Sequence, residues 1–316
     1  MNKMMIGSIV FAGMAAAIGL SAVWYAKGEE GMSFSIGIGK ADVSNIQEFP
    51  ADKIENLVIE YSSQNLYLYE GEGDKIVIKE YLKGNGKSEM QVNGDTLSII
   101  EADRGIRISF FVFSEEKVEI FLPKGYKGSV KTAVSSGNVR AECALELEEF
   151  AVSSKSGNIS CGEIRAEEVK AMTNSGNIIF KKAQGNRKIE TKSGNIKLEG
   201  GEGNTWVSSK SGNISVENAD GGFSGIAQSG NITAGFVCVK GDITAETSSG
   251  NIRLELPEES EFDYEGYASS GTIKTDFNEM LSFNEKRNEA KGSYGSTPGM
   301  RVRTKASSGN THIVLK

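Results

Sequence analysis

The stretch that repeats most clearly is "VSSKSGNISCGEIRAEEVKAMTNSGNIIF", residues 152–180, in which Ser-Gly-Asn-Ile occurs twice with starts 19 residues apart. The Ser-Gly step recurs at nine glycines: Gly137, Gly157, Gly176, Gly194, Gly212, Gly230, Gly250, Gly271 and Gly309. Asparagine follows eight of them, at Asn138, Asn158, Asn177, Asn195, Asn213, Asn231, Asn251 and Asn310, and Thr272 follows the other. A period of about 20 residues is typical of a solenoid, whose repeats bury their apolar faces only against one another.

The residues after each glycine alternate between apolar and polar, as in Ile196, Lys197 and Leu198. Period-two alternation rich in branched side chains predicts a strand and not a helix. We expect glycine to turn the corner because it adopts positive φ at little cost, with asparagine the next most tolerant residue. The isoleucine should point inward, and the asparagine side chains should hydrogen-bond from coil to coil.

The predicted fold is all-β: a single-stranded parallel β-solenoid, or β-helix, preceded by one N-terminal transmembrane helix. The right-handed crossover rule favours a right-handed coil. Small residues stand three positions before most of the glycines and suit a tight inner corner; they are Ser154, Thr173, Thr191, Ser209, Ala227 and Thr247. Gly241-Asp242-Ile243 resembles a degenerate corner.

The N-terminal segment predicts a membrane anchor. Residues 4–26 carry no charged side chain. A helix of this length is long enough to cross a bilayer core of about 30 Å. Trp24 and Tyr25 close the segment, where aromatic rings favour the headgroup level, and the positive-inside rule places the following chain outside the cytoplasm. A cleaved signal peptide is the alternative, although its apolar core is normally shorter, about 7–15 residues.

The division into segments follows from these patterns. Residues 1–27 form the cytoplasmic tip and transmembrane anchor, residues 28–50 a tether, and residues 51–130 N-terminal strands that cap the solenoid. Residues 131–316 form the repeat solenoid, with a surface-loop excursion at 278–301 that fills the long gap before Gly309.

Composition disfavours several classes of protein. A net charge of −7 gives no reason to expect nucleic acid as a partner. Three cysteines without a CxxC motif disfavour a disulfide framework or a zinc site. His312 is the only histidine, which excludes histidine-based triads and multi-histidine metal sites. We expect no cofactor, no metal and no catalytic residues.

Two cationic stripes share positions in the repeat. Three residues after the corner glycine stand Arg140, Lys197, Arg253 and Lys274, together with His312, and we treat them as a candidate anion-binding stripe. Two residues before it stand Lys155, Lys192 and Lys210. Such stripes could face anionic wall polymers or phospholipid headgroups. The alternative is that like charges along exposed strands discourage lateral aggregation.

The combination of motifs resembles a bacterial family of putative adhesins, which carries a domain of unknown function built from SGNI-type repeats. The matching segments are "LVIEYSSQNLYLYEG" (57–71), "VEIFLPKG" (118–125), "IRLELPEESEFDYEGYASSGTI" (252–273) and "ASSGNTHIVLK" (306–316), with the repeats between them. The resemblance covers residues 51–316. It implies a β-solenoid, in some members behind a single transmembrane helix among cell-envelope stress proteins of the Lia type. It offers no agreed catalytic residues.

These observations predict a single-pass cell-membrane protein that displays a non-enzymatic module on the extracytoplasmic side. Its expected partners are the membrane, through the anchor, and a cell-wall polymer, an anionic lipid or an envelope protein, in an adhesive or stress-sensing role. One alternative is a structural scaffold whose solenoids stack end to end, as in bactofilin-like assemblies. Another is a carbohydrate-active β-helix enzyme, for which Glu148, Glu149, Glu167, Glu168, Glu199 and Glu217 are the candidate acids.

Overall fold

The computed structural model of the chain describes residues 43–82, 87–101 and 116–316. Its regular structure consists of 26 strands in one continuous hydrogen-bonded sheet, which confirms the all-β prediction. The predicted transmembrane helix and most of the tether lie outside the described residues. Within the described ranges, no helix has the length and apolar character needed to cross a bilayer.

The strands fall into three groups along the chain. The N-terminal group is β1 (Asn45–Pro50), β2 (Asn56–Tyr61), β3 (Asn65–Gly71), β4 (Lys75–Tyr81), β5 (Ser88–Asn93), β6 (Thr96–Glu101) and β7 (Lys117–Pro123). The middle group is β8 (Ser129–Val134), β9 (Val139–Ala141), β10 (Leu145–Ser154), β11 (Ile159–Ser175), β12 (Ile178–Ser193), β13 (Ile196–Leu198), β14 (Gly201–Glu202), β15 (Thr205–Ser211), β16 (Ile214–Asp220), β17 (Phe223–Ser229), β18 (Ile232–Cys238), β19 (Ile243–Ser249) and β20 (Ile252–Leu256). The C-terminal group is β21 (Phe262–Ser270), β22 (Ile273–Thr275), β23 (Leu281–Phe283), β24 (Glu289–Tyr294), β25 (Met300–Ser308) and β26 (Thr311–Leu315). Three-residue 3₁₀ turns lie at Ala51–Lys53 and Asn278–Met280.

The middle strands form two walls. The first wall contains the strands that lead into each Ser-Gly corner, such as β15, β17 and β19, which pair in parallel. The second wall contains the strands that leave the corner, such as β16, β18 and β20, which also pair in parallel. The long strands β11 and β12 contribute to both walls, because each continues through the corner opposite the Ser-Gly step. The result is a flattened stack of coils.

The core lies between the walls and is built from in-register aliphatic columns. In the second wall the isoleucine of each motif pairs with that of the next coil, and all are at most 1% exposed. That column contains Ile159, Ile178, Ile196, Ile214, Ile232 and Ile252. Burial of one such side chain stabilises the fold by about 1.5–3 kcal/mol, so the column is a main source of cohesion between coils.

At the C-terminal end, the spatial order of the coils differs from their order in the sequence. β26 pairs with β20 on one side and β22 on the other, while β25 lies between β19 and β21. The coil that contains Gly309 is therefore inserted between the coils of Gly250 and Gly271. The terminal segment "THIVLK" is consequently an interior strand of the stack and not the exposed edge that the sequence order implies.

The excursion expected as a surface loop at 278–301 instead caps this end. β24 pairs antiparallel with the outer edge of β21, and β23 pairs antiparallel with β24. The segment is ordered because it supplies apolar side chains: Ala290 is 3% exposed, and Tyr294 lies 5.4 Å from Phe262 and 5.2 Å from Phe277 between ring centroids.

The N-terminal end has a similar arrangement. β2 lies between β6 and β8, and β3 lies between β7 and β9, so the coil made by β6 and β7 is outermost. Antiparallel strands then cover it, with β5 on β6, β4 on β7 and β1 on β4. Residues 45–50, predicted as part of the tether, thus form an edge strand. Asn45 holds it in place, because its side chain donates a hydrogen bond to the buried Glu80 carboxylate (2.8 Å).

Gly241 also differs from its predicted role. The backbone N–H of Phe223 donates to the Asp242 carbonyl, and the Gly241 Cα lies beside Gly222. This segment therefore belongs to the second corner of the coil, across the stack from the Ser-Gly corners, and is not a degenerate copy of them.

Candidate functional site

Close approach of successive backbones explains the glycine at each Ser-Gly corner. A Cβ on any of the nine glycines would lie about 2 Å from the carbonyl oxygen of the residue at the same position in the neighbouring coil, for example 2.1 Å from Gly157 O at Gly176. Positive φ, the reason given by sequence analysis, applies to only five of the nine, where φ is between 145° and 154°. Contact between coils is thus the more general requirement for glycine.

The asparagines of the corners form a continuous hydrogen-bonded ladder. The backbone N–H of each asparagine donates to the side-chain oxygen of the asparagine one coil before it, at 2.8–2.9 Å from Asn158 to Asn310. The asparagine side chains bond from coil to coil mainly as acceptors of backbone N–H groups, and the side-chain amides of Asn138 and Asn158 also donate to the preceding side chain. Each asparagine closes its own corner and holds the next one.

Two residues at the ends of the ladder complete it. Asn65 starts it by accepting from the N–H of Asn138 (2.7 Å), and Thr272 ends it by donating its N–H to Asn310 (2.9 Å). Asn65 does not show the repeat motif, because Gln64 stands where the glycine is expected. Thr272 breaks the motif without penalty because its coil is the last in space and no following corner needs an acceptor.

A second ladder uses the small residues three positions before the glycine. The hydroxyls of Ser154, Thr173, Thr191, Ser209 and Thr247 donate to the glycine carbonyl of the preceding coil at 3.0–3.2 Å. The small size of these residues was evident from the sequence, but their role as hydrogen-bond donors was not. The two ladders fix the corner from both sides, so that side chains next to it are held at a regular spacing.

The corner presents two exposed polar columns, which together we call the serine–lysine edge. The first contains the serines immediately before the glycines. Strand register pairs each of these serines with the next in the order Ser175, Ser193, Ser211, Ser229, Ser249, Ser308 and Ser270. The second contains the residues one position earlier, in spatial order Ser135, Lys155, Asn174, Lys192, Lys210, Gln228, Ser248, Ser307 and Ser269. Neither column contains a carboxylate.

Three lysines supply the positive charge of this edge. Lys192 and Lys210 occupy matching positions on adjacent coils, between the pairs Thr191–Ser209 and Ser193–Ser211. Lys155 lies two coils from Lys192, with Asn174 between them. All three are exposed, and none forms an ion pair with any of the described residues. The strand spacing of about 4.8 Å sets the separation of neighbouring rungs.

The stripe that sequence analysis proposed after the corner is not continuous in space. Ser160 and Ile179 separate Arg140 from Lys197, and Ser215 and Thr233 separate Lys197 from Arg253. His312 lies between Arg253 and Lys274 because of the inserted coil. The cations of the stripe are therefore spread over the whole second wall.

Nearby groups also partner much of this stripe. Lys197 Nζ lies 2.8 Å from Glu199 Oε1 and 3.9 Å from Glu217, and the hydrogen bond to Glu199 raises the pKa of Lys197. Arg253 pairs with Glu255 at 2.9 Å and contacts Nδ1 of His312 at 3.1 Å. Arg140 lies over the ring of Tyr67, 5.8 Å from its centroid. The lysines of the serine–lysine edge, which form no ion pair with the described residues, therefore keep more of their positive charge uncompensated than Lys197 and Arg253 do.

A shallow groove of about 540 Å³ borders the serine–lysine edge on the first wall. Its exposed apolar residues are Ile100 and Met172, and the small side chains of Ala133 and Ser153 lie between them in the strand register. Lys155 and Lys192 line the groove beside the edge, and carboxylates, including Glu190, line it as well. The groove and the edge form one continuous surface.

Comparison with known proteins identifies the architecture. Residues 54–314 match the family described as Toastrack DUF4097. The chain belongs to this family. A search of curated proteins found no match.

Three crystal structures are similar to this Toastrack chain. A putative adhesin from Bacteroides fragilis is 13% identical, with a TM-score of 0.45 and coverage of 86% of this chain and 96% of that one. A putative adhesin from Parabacteroides distasonis is 11% identical, with a TM-score of 0.37 and coverage of 87% and 100%. A putative cell adhesion protein from Clostridium sporogenes is 11% identical, with a TM-score of 0.28 and coverage of 86% and 98%.

Most of the candidate catalytic acids of this Toastrack chain are engaged in surface ion pairs. Glu149 contacts Lys131 (2.7 Å) and Lys170 (3.0 Å), and these hydrogen bonds lower its pKa. Glu168 also pairs with Lys170, while Glu199 and Glu217 share Lys197. A glycosidase acid normally needs a raised pKa, which Glu149 does not have. Among the described residues, no group of three or more His, Cys, Asp or Glu could hold a metal ion.

One functional-looking residue escaped sequence analysis. Arg187 occupies an inward position of β12, where the residue is 3% exposed and its guanidinium donates to the carbonyls of Ala183 and Gly203. Desolvation lowers its pKa to about 10, against the opposing effect of Asp220. Its bonds join two consecutive coils at the second corner. We interpret Arg187 as a structural residue that links these coils. The sequence did not reveal this role because charged residues also stand near Arg187.

Proposed function

We propose that this chain is a non-catalytic, adhesin-like module of the cell envelope that binds a component of the wall or of the membrane surface. The observation that carries the proposal is the serine–lysine edge, a line of exposed donors on a backbone that two hydrogen-bonded ladders hold in place. Such an array is pre-organised for contact with an extended partner, because little conformational entropy is lost on binding. Membership of the Toastrack family and the similarity to adhesins are consistent with this role.

The anchor predicted at residues 4–26 is part of the proposal. It would hold the protein in the cell membrane as a single-pass protein with the parallel β-solenoid on the extracytoplasmic side, behind the short tether. The partner would then be a cell-wall polymer, an anionic lipid or an envelope protein. The resemblance to Lia-type envelope proteins adds a stress-sensing role, in which occupancy of the edge reports the state of the envelope.

End-to-end stacking into a scaffold is the weaker alternative. β5, β4 and β1 cover one end of the stack, and β24 and β23 cover the other, all as antiparallel strands. These strands already pair with the outer edges of β6, β7 and β21, so another coil cannot pair with those edges in the parallel register that it would need. The proposal therefore places the binding surface along the side of the stack and not at its ends.

Two measurements test the proposal. First, full-length protein in native cells should fractionate with the membrane, and protease added to intact protoplasts should cleave the region after residue 28. Second, detergent-solubilised protein should co-sediment with purified envelope fragments in a saturable manner. Exclusive recovery from the cytoplasmic fraction, or no saturable binding to envelope fragments, would contradict it. A glycan-release assay with turnover above background would favour the carbohydrate-active alternative.

A further inference from the structure

We propose that the serine–lysine edge is a track for a single, linear, phosphate-bearing polymer that lies along the axis of the stack. The inference rests on the proposed function and specifies the chemistry of its ligand. The shape of the surface, its charge and the kind of donors that it offers each support it.

The shape of the cationic surface is a line. Lys155, Lys192 and Lys210 occupy one column, and matching positions on successive coils are about 4.8 Å apart, so the three ammoniums span three intervals, or about 14 Å, along the axis. The serine column runs parallel to them over the nine corners. A line of this kind fits an extended chain better than a compact ligand.

The charge around the track favours a polymer over a membrane surface. Carboxylates stand two residues before the track on the same wall, with Glu190 before Lys192 and Glu246 before Ser248. A flat anionic bilayer laid against this wall would meet these carboxylates as well as the lysines, and the carboxylates would offset part of the attraction. A chain one residue wide can contact the track and avoid them, even though the protein as a whole carries a net charge of −7.

The donors of the track match phosphate. The lysines are exposed and make no ion pair with the described residues, so binding of a ligand would not have to break such a pair. The serine hydroxyls beside them, which are exposed, offer neutral donors at the same spacing. A phosphate group presents several strong acceptor oxygens, so it can bind one ammonium and one or more hydroxyls at once.

The test uses the full-length protein in mild detergent and fluorescently labelled linear polyphosphate, with binding followed by anisotropy. The K192Q/K210Q variant removes two of the three cations of the track. The matched control, K197Q/K274Q, removes two cations from the second wall. All four side chains lie on outward-facing positions, and circular dichroism and thermal unfolding show whether both variants keep the fold.

We expect saturable binding to the parent protein, with K192Q/K210Q weakened about tenfold or more at low salt and K197Q/K274Q close to the parent. In nucleic-acid complexes each phosphate contact contributes a slope of about −0.7 to −0.9 in log K against log salt, and on that basis removal of two lysines should make the slope shallower by roughly 1.5. Equal loss in both variants, or loss only in the control, would overturn the proposal.

Competitors separate the sources of phosphate. Monomeric inorganic phosphate should compete weakly, because it engages one rung at a time, and polyglutamate should compete less well than unlabelled polyphosphate. Vesicles of phosphatidylglycerol should bind no more tightly to the parent than to K192Q/K210Q. If the K192Q/K210Q substitutions weaken vesicle binding more than they weaken polyphosphate binding, the track binds lipid headgroups and the inference is wrong.

The two proposals fail separately. If K192Q/K210Q binds polyphosphate as tightly as the parent while the parent still binds envelope fragments saturably, this inference falls and envelope binding stands. If no form of the protein binds envelope fragments, the proposed function falls whatever the polyphosphate result.

Discussion

The side-chain oxygen of Asn195 accepts a hydrogen bond from the backbone N–H of Asn213, at 2.8 Å, in the adjacent coil. The same relationship repeats along the stack, so one side chain type holds the corners in register. An exposed polar residue, which sequence statistics associate with turns, is here a connection between coils.

The ladder predicts a measurable cost for the loss of a central asparagine. Asn195→Ala removes the acceptor of the Asn213 N–H, and we expect a loss of about 1 kcal/mol in the free energy of unfolding. Asn174→Ala is the control, because the exposed Asn174 side chain makes no hydrogen bond with the described residues. Urea denaturation of both variants measures the difference, and equal midpoints would show that the bond is energetically silent.

The glycines predict a sharp contrast between two positions. In Gly212→Ala the new Cβ would lie 1.9 Å from the Gly194 carbonyl oxygen, at a φ of +154°, and should cost upwards of about 3 kcal/mol. Gly200→Ala meets no atom within 4 Å and should change stability by no more than about 0.5 kcal/mol. Thermal unfolding distinguishes the two, and a tolerated Gly212→Ala would refute the close approach of the coils.

Strand register predicts opposite outcomes for adjacent residues. Ile196 is 1% exposed in the core column, so Ile196→Asp would bury a carboxylate and should prevent folding or cost more than about 4 kcal/mol. Lys197 points outward, and Lys197→Asp, although it loses the pair with Glu199, should still fold and unfold cooperatively with a small loss of stability. The fraction of soluble, cooperatively unfolding protein is the readout. Equal stability of the two variants is the contrary result.

The ion pairs of Glu149 predict a dependence of stability on pH. Hydrogen bonds from Lys131 and Lys170 lower the pKa of Glu149 in the folded state below that in the unfolded chain. The stabilisation is therefore fully present above the unfolded pKa, about 4.3, and is lost as pH falls through the folded pKa. We expect Glu149→Gln to reduce the difference between urea midpoints at pH 7 and pH 3. Glu148→Gln, which removes a carboxylate without an ion pair among the described residues, should leave that difference nearly unchanged.

Local sequence patterns were sufficient to predict the structure of the repeating coil. The alternation after each glycine identified the buried isoleucines such as Ile196, because a strand has only two faces and one must be apolar. Asn65 was missed because its motif is degenerate, and the hydroxyl ladder was missed because Ser and Thr suit a tight corner for their size alone. Arg140, Lys197, Arg253 and Lys274 occupy the same position of the repeat. That position does not show how many coils with a neutral residue separate them in space.

The order of the last coils could not be read from the sequence. Gly271 and Gly309 carry nearly the same motif, so nothing local specifies which of them contacts Gly250. The choice depends on distant packing: the hairpin of β23 and β24 supplies Ala290 and Tyr294 to cover β21, which makes the earlier coil the outer one. Whether a segment forms a strand is determined here by its local sequence, whereas which strands it pairs with depends on packing across the whole domain.

The inserted coil bears on how the protein is made. Residues 300–315 separate two coils that are synthesised before them, so the nascent domain cannot close progressively from its start. The inner edges of β21 and β22 stay unpaired until residues 300–315 have been synthesised. Once in place, β25 and β26 have a paired neighbour on each side, so they are not edge strands at which unfolding of the stack would begin.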